Sequence, residues 1–389
     1  MATVYLSIGT VKTGTTALQT FMRENDLVMQ KQGYCYPLMD IGIYNKYVDR
    51  NGHFLVYRSE KENREDRKVE EKAVRDRAYK ILEESAQKHN HIILSDELIW
   101  HRSRSNPYFW ERLRPNFAKI GCDVKVIVYL RRQDLLIQSL YNQSIKALPR
   151  TTLTFDNYIK ETQFPLDYAE NLERIAKGIG KENLIVRVYE NGQFSGEEHS
   201  IFSDFAECVG LKLTEEFTRN RVLSNVGLNG NYIEIKRLLN VLPEYQQSED
   251  FMKVPIWQAS GAKVSESQHA KTSFFTYEAQ KEYLRQFDES NQTVAKEYLG
   301  RENGVLFEEE VKELPVWNVE KEQMYQDIIL SMGEIFCAQE QKIVELQKQY
   351  RDLKDTLKNL KNENKSMYNS LIFRGYRKMR NGFGGKKEK

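Results

Sequence analysis

Gly9-Thr10-Val11-Lys12-Thr13-Gly14-Thr15-Thr16-Ala17-Leu18 is a polar turn between two apolar segments of different period. Before it, Val4 to Ile8 is a short run of β-forming residues. After it, Ala17, Leu18, Phe21, Met22 and Leu27 recur at helical spacing. The stretch therefore reads as strand, turn, helix. A glycine-containing turn that opens a helix presents backbone N–H groups and the positive end of the helix dipole, both of which suit a phosphate. Thr13, Thr15 and Thr16 add hydroxyl donors, and Lys12 adds a mobile cation.

The rest of the chain repeats the pattern. Ile92-Ile93-Leu94, Val124 to Leu130 and Leu184 to Val188 are continuous apolar runs, as expected of strands buried on both faces, and helical patterns separate them. The fold class that follows is α/β, with a central parallel sheet between helical layers. Val126-Ile127-Val128-Tyr129-Leu130 ends at Arg131-Arg132-Gln133-Asp134, again a strand running into a turn that opens a helix. At the carboxyl end of a parallel strand, Arg131 is expected to point into the crevice that holds the first loop. Ser139 follows eight positions later, about two helical turns on.

The first loop is not an ordinary Walker A sequence. With Gly9 and Gly14 as its glycines, that motif requires Lys at position 15, where Thr15 stands instead. The lysine lies upstream of the second glycine, at Lys12. In this form GTVKTGTTALQ resembles the 5′-phosphosulfate-binding loop of the sulfotransferase family, whose P-loop-like three-layer fold uses 3′-phosphoadenosine 5′-phosphosulfate as donor. By that resemblance Lys12 contacts the bridging oxygen and stabilises the leaving phosphate. Thr13, Gly14, Thr15, Thr16 and Ala17 cradle the 5′-phosphate. Arg131 and Ser139 resemble the family's 3′-phosphate motif, in which a strand-ending Arg and a Ser eight positions later hold the phosphate that distinguishes this donor from ATP. The family often has Asn-Pro after that Arg, whereas Arg132-Gln133 stand here; Arg132 is either a second phosphate contact or a surface cation. The segment Arg219 to Asn225 is loosely similar to a polar segment before a late helix in bacterial members.

Sulfuryl transfer requires the acceptor to lose a proton. Glu97, in Leu94-Ser95-Asp96-Glu97, follows a predicted strand, and His53 lies in the loop Asn51-Gly52-His53-Phe54; both are candidates for the base, and Asp96 and Glu97 also suit a helix cap. No metal-ligand cluster is evident, so no metal is expected. The resemblance implies a hydroxyl or amine acceptor, with a bacterial cell-surface or capsular carbohydrate the preferred expectation.

The C-terminal part changes character. Phe336, Ile343, Leu346, Tyr350, Leu353, Leu357, Leu360, Asn364, Met367 and Leu371 form a heptad seam among charged and amide residues. This predicts a long helix that pairs with a second copy or folds back on the body. The expected organisation is a sulfotransferase-like domain over 1–320, a long helix or coiled coil over 321–371, and a basic tail over 372–389. In the tail, apolar residues alternate with Arg374, Arg377, Lys378, Arg380, Lys386, Lys387 and Lys389, a composition suited either to an anionic membrane surface or to a solvated end. The charged stretch Arg58 to Arg77 reads as a solvated helix face, and 243–273 as long loops.

The bulk properties agree with an enzyme. At 389 residues, 40% hydrophobic and with a net charge of only +2, the chain can bury a substantial core and has no chain-wide nucleic-acid footprint. Cys35, Cys122, Cys208 and Cys337 lack paired spacing and read as reduced. No signal-like N-terminus and no run of ~18 apolar residues is present, so a cytoplasmic location is expected. Two rival functions share these features. One is a P-loop nucleotide kinase or NTPase. The other is a non-catalytic coiled-coil assembly protein.

Overall fold

The structure is a computed structural model that describes residues 1–39, 49–219, 231–243, 272–317 and 321–383. Five strands form one sheet: β1 (Ala2–Ser7), β2 (Tyr34–Cys35), β3 (His91–Ser95), β4 (Cys122–Leu130) and β5 (Leu184–Val188). Their order is β2-β3-β1-β4-β5, and every pairing is parallel. The fold is thus α/β with a central parallel sheet and a long C-terminal helix.

Alternation along the strands explains the layering. In β1, Val4 and Leu6 point into one core, which also takes Ile92, Leu94, Val124, Val126 and Val128 from the neighbouring strands. Tyr5, Ile93, Ile127 and Tyr129 point into a second core on the other face. The first core is covered by the helices Arg64–Ala86, Phe109–Ala118, Gln133–Lys146 and Tyr168–Ile179. The second is covered by Thr15–Glu24 and Ile201–Val209. Strands buried on both faces have no solvated side to mark with polar residues, which is why they read as continuous apolar runs.

The charged stretch after Arg58 becomes the helix Arg64–Ala86, capped by Asn63, whose side chain accepts from Glu65 and Asp66 N–H. Only Val74, Ala78 and Leu82, four residues apart, are buried, so one narrow stripe docks and the charged remainder faces water. A wall not visible in the sequence is built after the sheet: Ser273 bridges Val316, Ser273 N–H donates to Pro315 O at 3.0 Å, and Trp317 N–H donates to Ser273 O at 2.8 Å. The helix Lys321–Asn369 packs its first turns on the helix Asn231–Leu239 and then continues, followed by the helix Leu371–Phe383. The polar segment from 220, most of the 243–273 stretch, and Lys386, Lys387 and Lys389 lie outside the described residues.

Candidate functional site

Adjacent strands β1 and β4 send their following helices to opposite faces. Leu18, Phe21 and Met22 of Thr15–Glu24 pack in the second core, whereas Leu136, Ile137 and Ile145 of Gln133–Lys146 pack in the first. The two loops therefore diverge and leave a crevice beyond the carboxyl ends of these strands, the position at which open α/β sheets bind ligands.

The loop after β1 is held from below. Ile8 N–H donates to Ile127 O at 2.9 Å, and both the N–H and the hydroxyl of Thr10 donate to Tyr129 O at 3.1 Å. The Thr13 hydroxyl donates to Thr10 O at 2.5 Å, so it closes the turn. Lys12 has φ 69° and Gly14 φ 73°. For a lysine that conformation costs ~1–2 kcal/mol, and a backbone held against such a cost is typical of binding loops. Gly14 caps the helix without any side-chain hydrogen bond, and its carbonyl accepts from Leu18 N–H at 3.0 Å. The first-turn amides of Thr15, Thr16 and Ala17 precede that first helical bond and form the anion-attracting end of the helix. Thr15 is buried, while Thr16 faces solvent.

Beyond β4 the two arginines turn in different directions. Arg132, 7% exposed, forks onto Asp134 (Nε–Oδ1 2.8 Å, Nη2–Oδ2 3.0 Å) and donates to the carbonyl of Glu309. It is not a surface cation: its fork pairs with buried Asp134, and it also lines the cavity that Lys12 and Arg131 share. Arg131 instead donates to Lys12 O at 2.8 Å, lies 5.9 Å from the centre of the Tyr189 ring, and has its own carbonyl fixed by the Tyr168 hydroxyl at 2.5 Å.

Lys12, Arg131 and Ser139 line one cavity of 620 Å³. Leu135, Ser139, Asn142 and Lys146 form one face of the Gln133–Lys146 helix along its side. Tyr189 and Glu190 enter from beyond β5, and Phe274, Lys312 and Trp317 from the outer wall. Gln138 ties that wall to the helix, its Oε1 accepting from Phe274 N–H at 2.9 Å and the Ser273 hydroxyl at 3.2 Å. Burial, and then the Arg131 charge, hold Lys12 below the usual lysine range, while Glu97 pulls the other way. Burial and the Lys12 charge bring Lys146 down to about 8. Glu190, Glu309 and Glu310 line the same cavity, and an anion placed between Lys12, Arg131 and Lys146 would relieve the repulsion among those three cations. Thr13, Gly14, Thr15, Thr16, Ala17, Glu97 and His53 are not among the residues lining this cavity.

Glu97 and His53 meet at a neighbouring cluster. Glu97 Oε2 accepts from Gln19 Nε2 at 3.1 Å and lies 3.6 Å from Arg50 Nε; its side chain keeps 17% of its surface. His53 is 1% exposed, with Nδ1 2.5 Å from Asp96 Oδ2. Asp96 also accepts from Arg50 and from Leu98 N–H (2.7 Å), the first residue of the Leu98–Arg102 helix, whose N-cap position is Glu97. Among the described residues no group of three or more His, Cys, Asp or Glu is arranged to hold a metal. The four cysteines are free thiols. No helix among the described residues is long and apolar enough to cross a membrane.

Lys146 and Tyr189 were missed in the sequence. Lys146 carried a usable signal, since it stands seven residues, two turns, beyond Ser139 on the same helix face. Tyr189 follows β5 directly and lies at the same sheet edge.

No protein-family model matches the chain. An uncharacterised protein of Archaeoglobus fulgidus is 30% identical over 194 residues, 48% of this chain and 50% of the relative. The chain thus spans about half the length of that relative. The crystal structure of a sulfotransferase from Alicyclobacillus acidocaldarius aligns with 57% of this chain and 85% of its own at a TM-score of 0.37 and 16% identity. A likeness of that size does not bear on the site.

Proposed function

We propose that the protein is a sulfotransferase that moves a sulfuryl group from 3′-phosphoadenosine 5′-phosphosulfate to a hydroxyl or amine, with a carbohydrate as the favoured acceptor class. The observation that carries this reading is the convergence of Lys12, Arg131 and Ser139 on one 620 Å³ cavity, because the two sequence motifs assign those three residues to opposite ends of a single donor. The volume falls within the ~300–1,000 Å³ usual for small-molecule sites.

In-line transfer of a charged group needs alignment and fixed positive charge around the leaving oxygen more than it needs covalent help. Lys12 supplies that charge at one end, and the helix that opens at Thr15 adds the positive end of its dipole. Arg131 and the Ser139 hydroxyl supply a cation and a neutral donor for a second phosphate. Glu97 is the better reading for the base: its carboxylate keeps access to solvent and its charge is felt at Lys12, whereas His53 is buried with Nδ1 committed to Asp96. The kinase reading is disfavoured by the lysine lying before the second glycine rather than after it.

The test is release of adenosine 3′,5′-bisphosphate from the donor in the presence of acceptor. Lys12→Ala should lower turnover by ~10²–10³-fold, as loss of one charge-stabilising donor does elsewhere, without altering the far-UV spectrum; unchanged turnover would remove the proposal. In the same assay Glu97→Gln should lower turnover by ~10²–10⁴-fold, as loss of a general base does. That loss in His53→Gln instead would transfer the base to His53.

A further inference from the structure

The long helix Lys321–Asn369 leaves the body with an apolar stripe uncovered. Phe336, Ile343, Leu346, Tyr350, Leu353, Leu357, Leu360 and Met367 are each between 47% and 67% exposed. A helix of this kind is held in water by packing of its apolar face rather than by intrinsic propensity, and a contiguous exposed stripe marks an interaction surface. Among the described residues the body does not fill that role, for the last buried residue of this helix is Ile335.

The spacing identifies the occupant. With Ile343, Tyr350, Leu357 and Asn364 at a positions, the d positions are Leu346, Leu353, Leu360 and Met367. Four consecutive heptads reach the ~3–4 that a coiled coil requires. In a parallel, in-register pair the flanking g and e′ residues meet as Lys342 with Gln347, Gln349 with Lys354, Thr356 with Lys361, and Glu363 with Tyr368, so no like charges are forced together. Asn364 decides orientation. In the parallel pair it faces Asn364 of the second copy and each amide finds a partner, whereas in an antiparallel pair it faces an apolar d residue and is left unsatisfied.

We infer that this chain forms a parallel, in-register homodimer through the 336–369 segment, with Asn364 fixing the alignment. The inference does not depend on the chemistry of the cavity. It is tested on the full chain by sedimentation equilibrium at micromolar concentration. The wild type should show twice the 45.8 kDa chain mass. Leu353→Lys, at a residue 61% exposed, should show a single chain mass, a 222 nm circular dichroism signal lowered by the unpaired helix, and an unchanged unfolding transition of the α/β body. In a Cys337→Ser background, Leu360→Cys should cross-link to its own copy under mild oxidation. A monomeric wild type, a dimer that survives Leu353→Lys, or a dimer that fails to cross-link through position 360 would each overturn the inference.

Discussion

That Lys12, Arg131 and Ser139 come together on one cavity was legible in the sequence because each sits at a fixed offset from a strand end of a parallel sheet. The fine chemistry was not, since it depends on contacts made across the fold. The pair Arg131-Arg132 illustrates this: both line the cavity, but Arg131 is anchored on the Lys12 carbonyl while Arg132 is paired with buried Asp134. Lys146 has a measurable consequence. Burial and the Lys12 charge lower it to about 8, so it is protonated below that pH and loses its charge above it. A bound anion favours the protonated form, so affinity for adenosine 3′,5′-bisphosphate should fall as pH rises from 7.5 to 9, a range in which phosphate ionisation (pKa ~6) is already complete. Titration calorimetry across that range should give a shallower decline for Lys146→Met; an identical decline would exclude Lys146 from the anion site.

Four of the five strands announced themselves as apolar runs: Leu184 to Val188 matches its strand, the runs at Ile92 and Val124 gain one or two residues, and Val4 to Ile8 becomes Ala2–Ser7. β2 did not, because a two-residue edge strand, Tyr34–Cys35, has no periodicity to read. The first loop was legible as a turn, but its conformation needed coordinates. Gly14 combines φ +73° with close neighbours: a Cβ there would lie 3.0 Å from Ile201 Cδ1 and 3.2 Å from the Tyr189 ring. Gly121 has nearly the same φ, +72°, with nothing within 4 Å. Both Gly→Ala variants carry the left-handed cost of ~1–2 kcal/mol, and Gly14→Ala adds crowding at the loop. Urea unfolding should therefore rank Gly14→Ala below Gly121→Ala, and only the former should weaken bisphosphate binding. Equal stability and equal binding would mean that the loop tolerates the change and is not tightly built.

At the scale of the whole molecule, the α/β class and the long helix followed from periodicity. The wall formed by Ser273, Val316 and Trp317 did not, because its residues are far apart in sequence and lack a repeating pattern. Thr272, Phe274, Lys312 and Trp317 beside that bridge line the cavity, so the site draws on more of the body than the two motifs. The proposed activity requires that cavity to accept a nucleotide with two separated phosphate groups. The direct measurement is calorimetric titration of the full chain with adenosine 3′,5′-bisphosphate, ADP and ATP under identical salt and pH. Each charge-assisted hydrogen bond to the extra ribose phosphate contributes ~1.5–3 kcal/mol, so the bisphosphate should bind at least ~10-fold more tightly than ADP, and Arg131→Ala should erase the difference. Binding of ATP or ADP as tight as that of the bisphosphate, in the wild type, would contradict it.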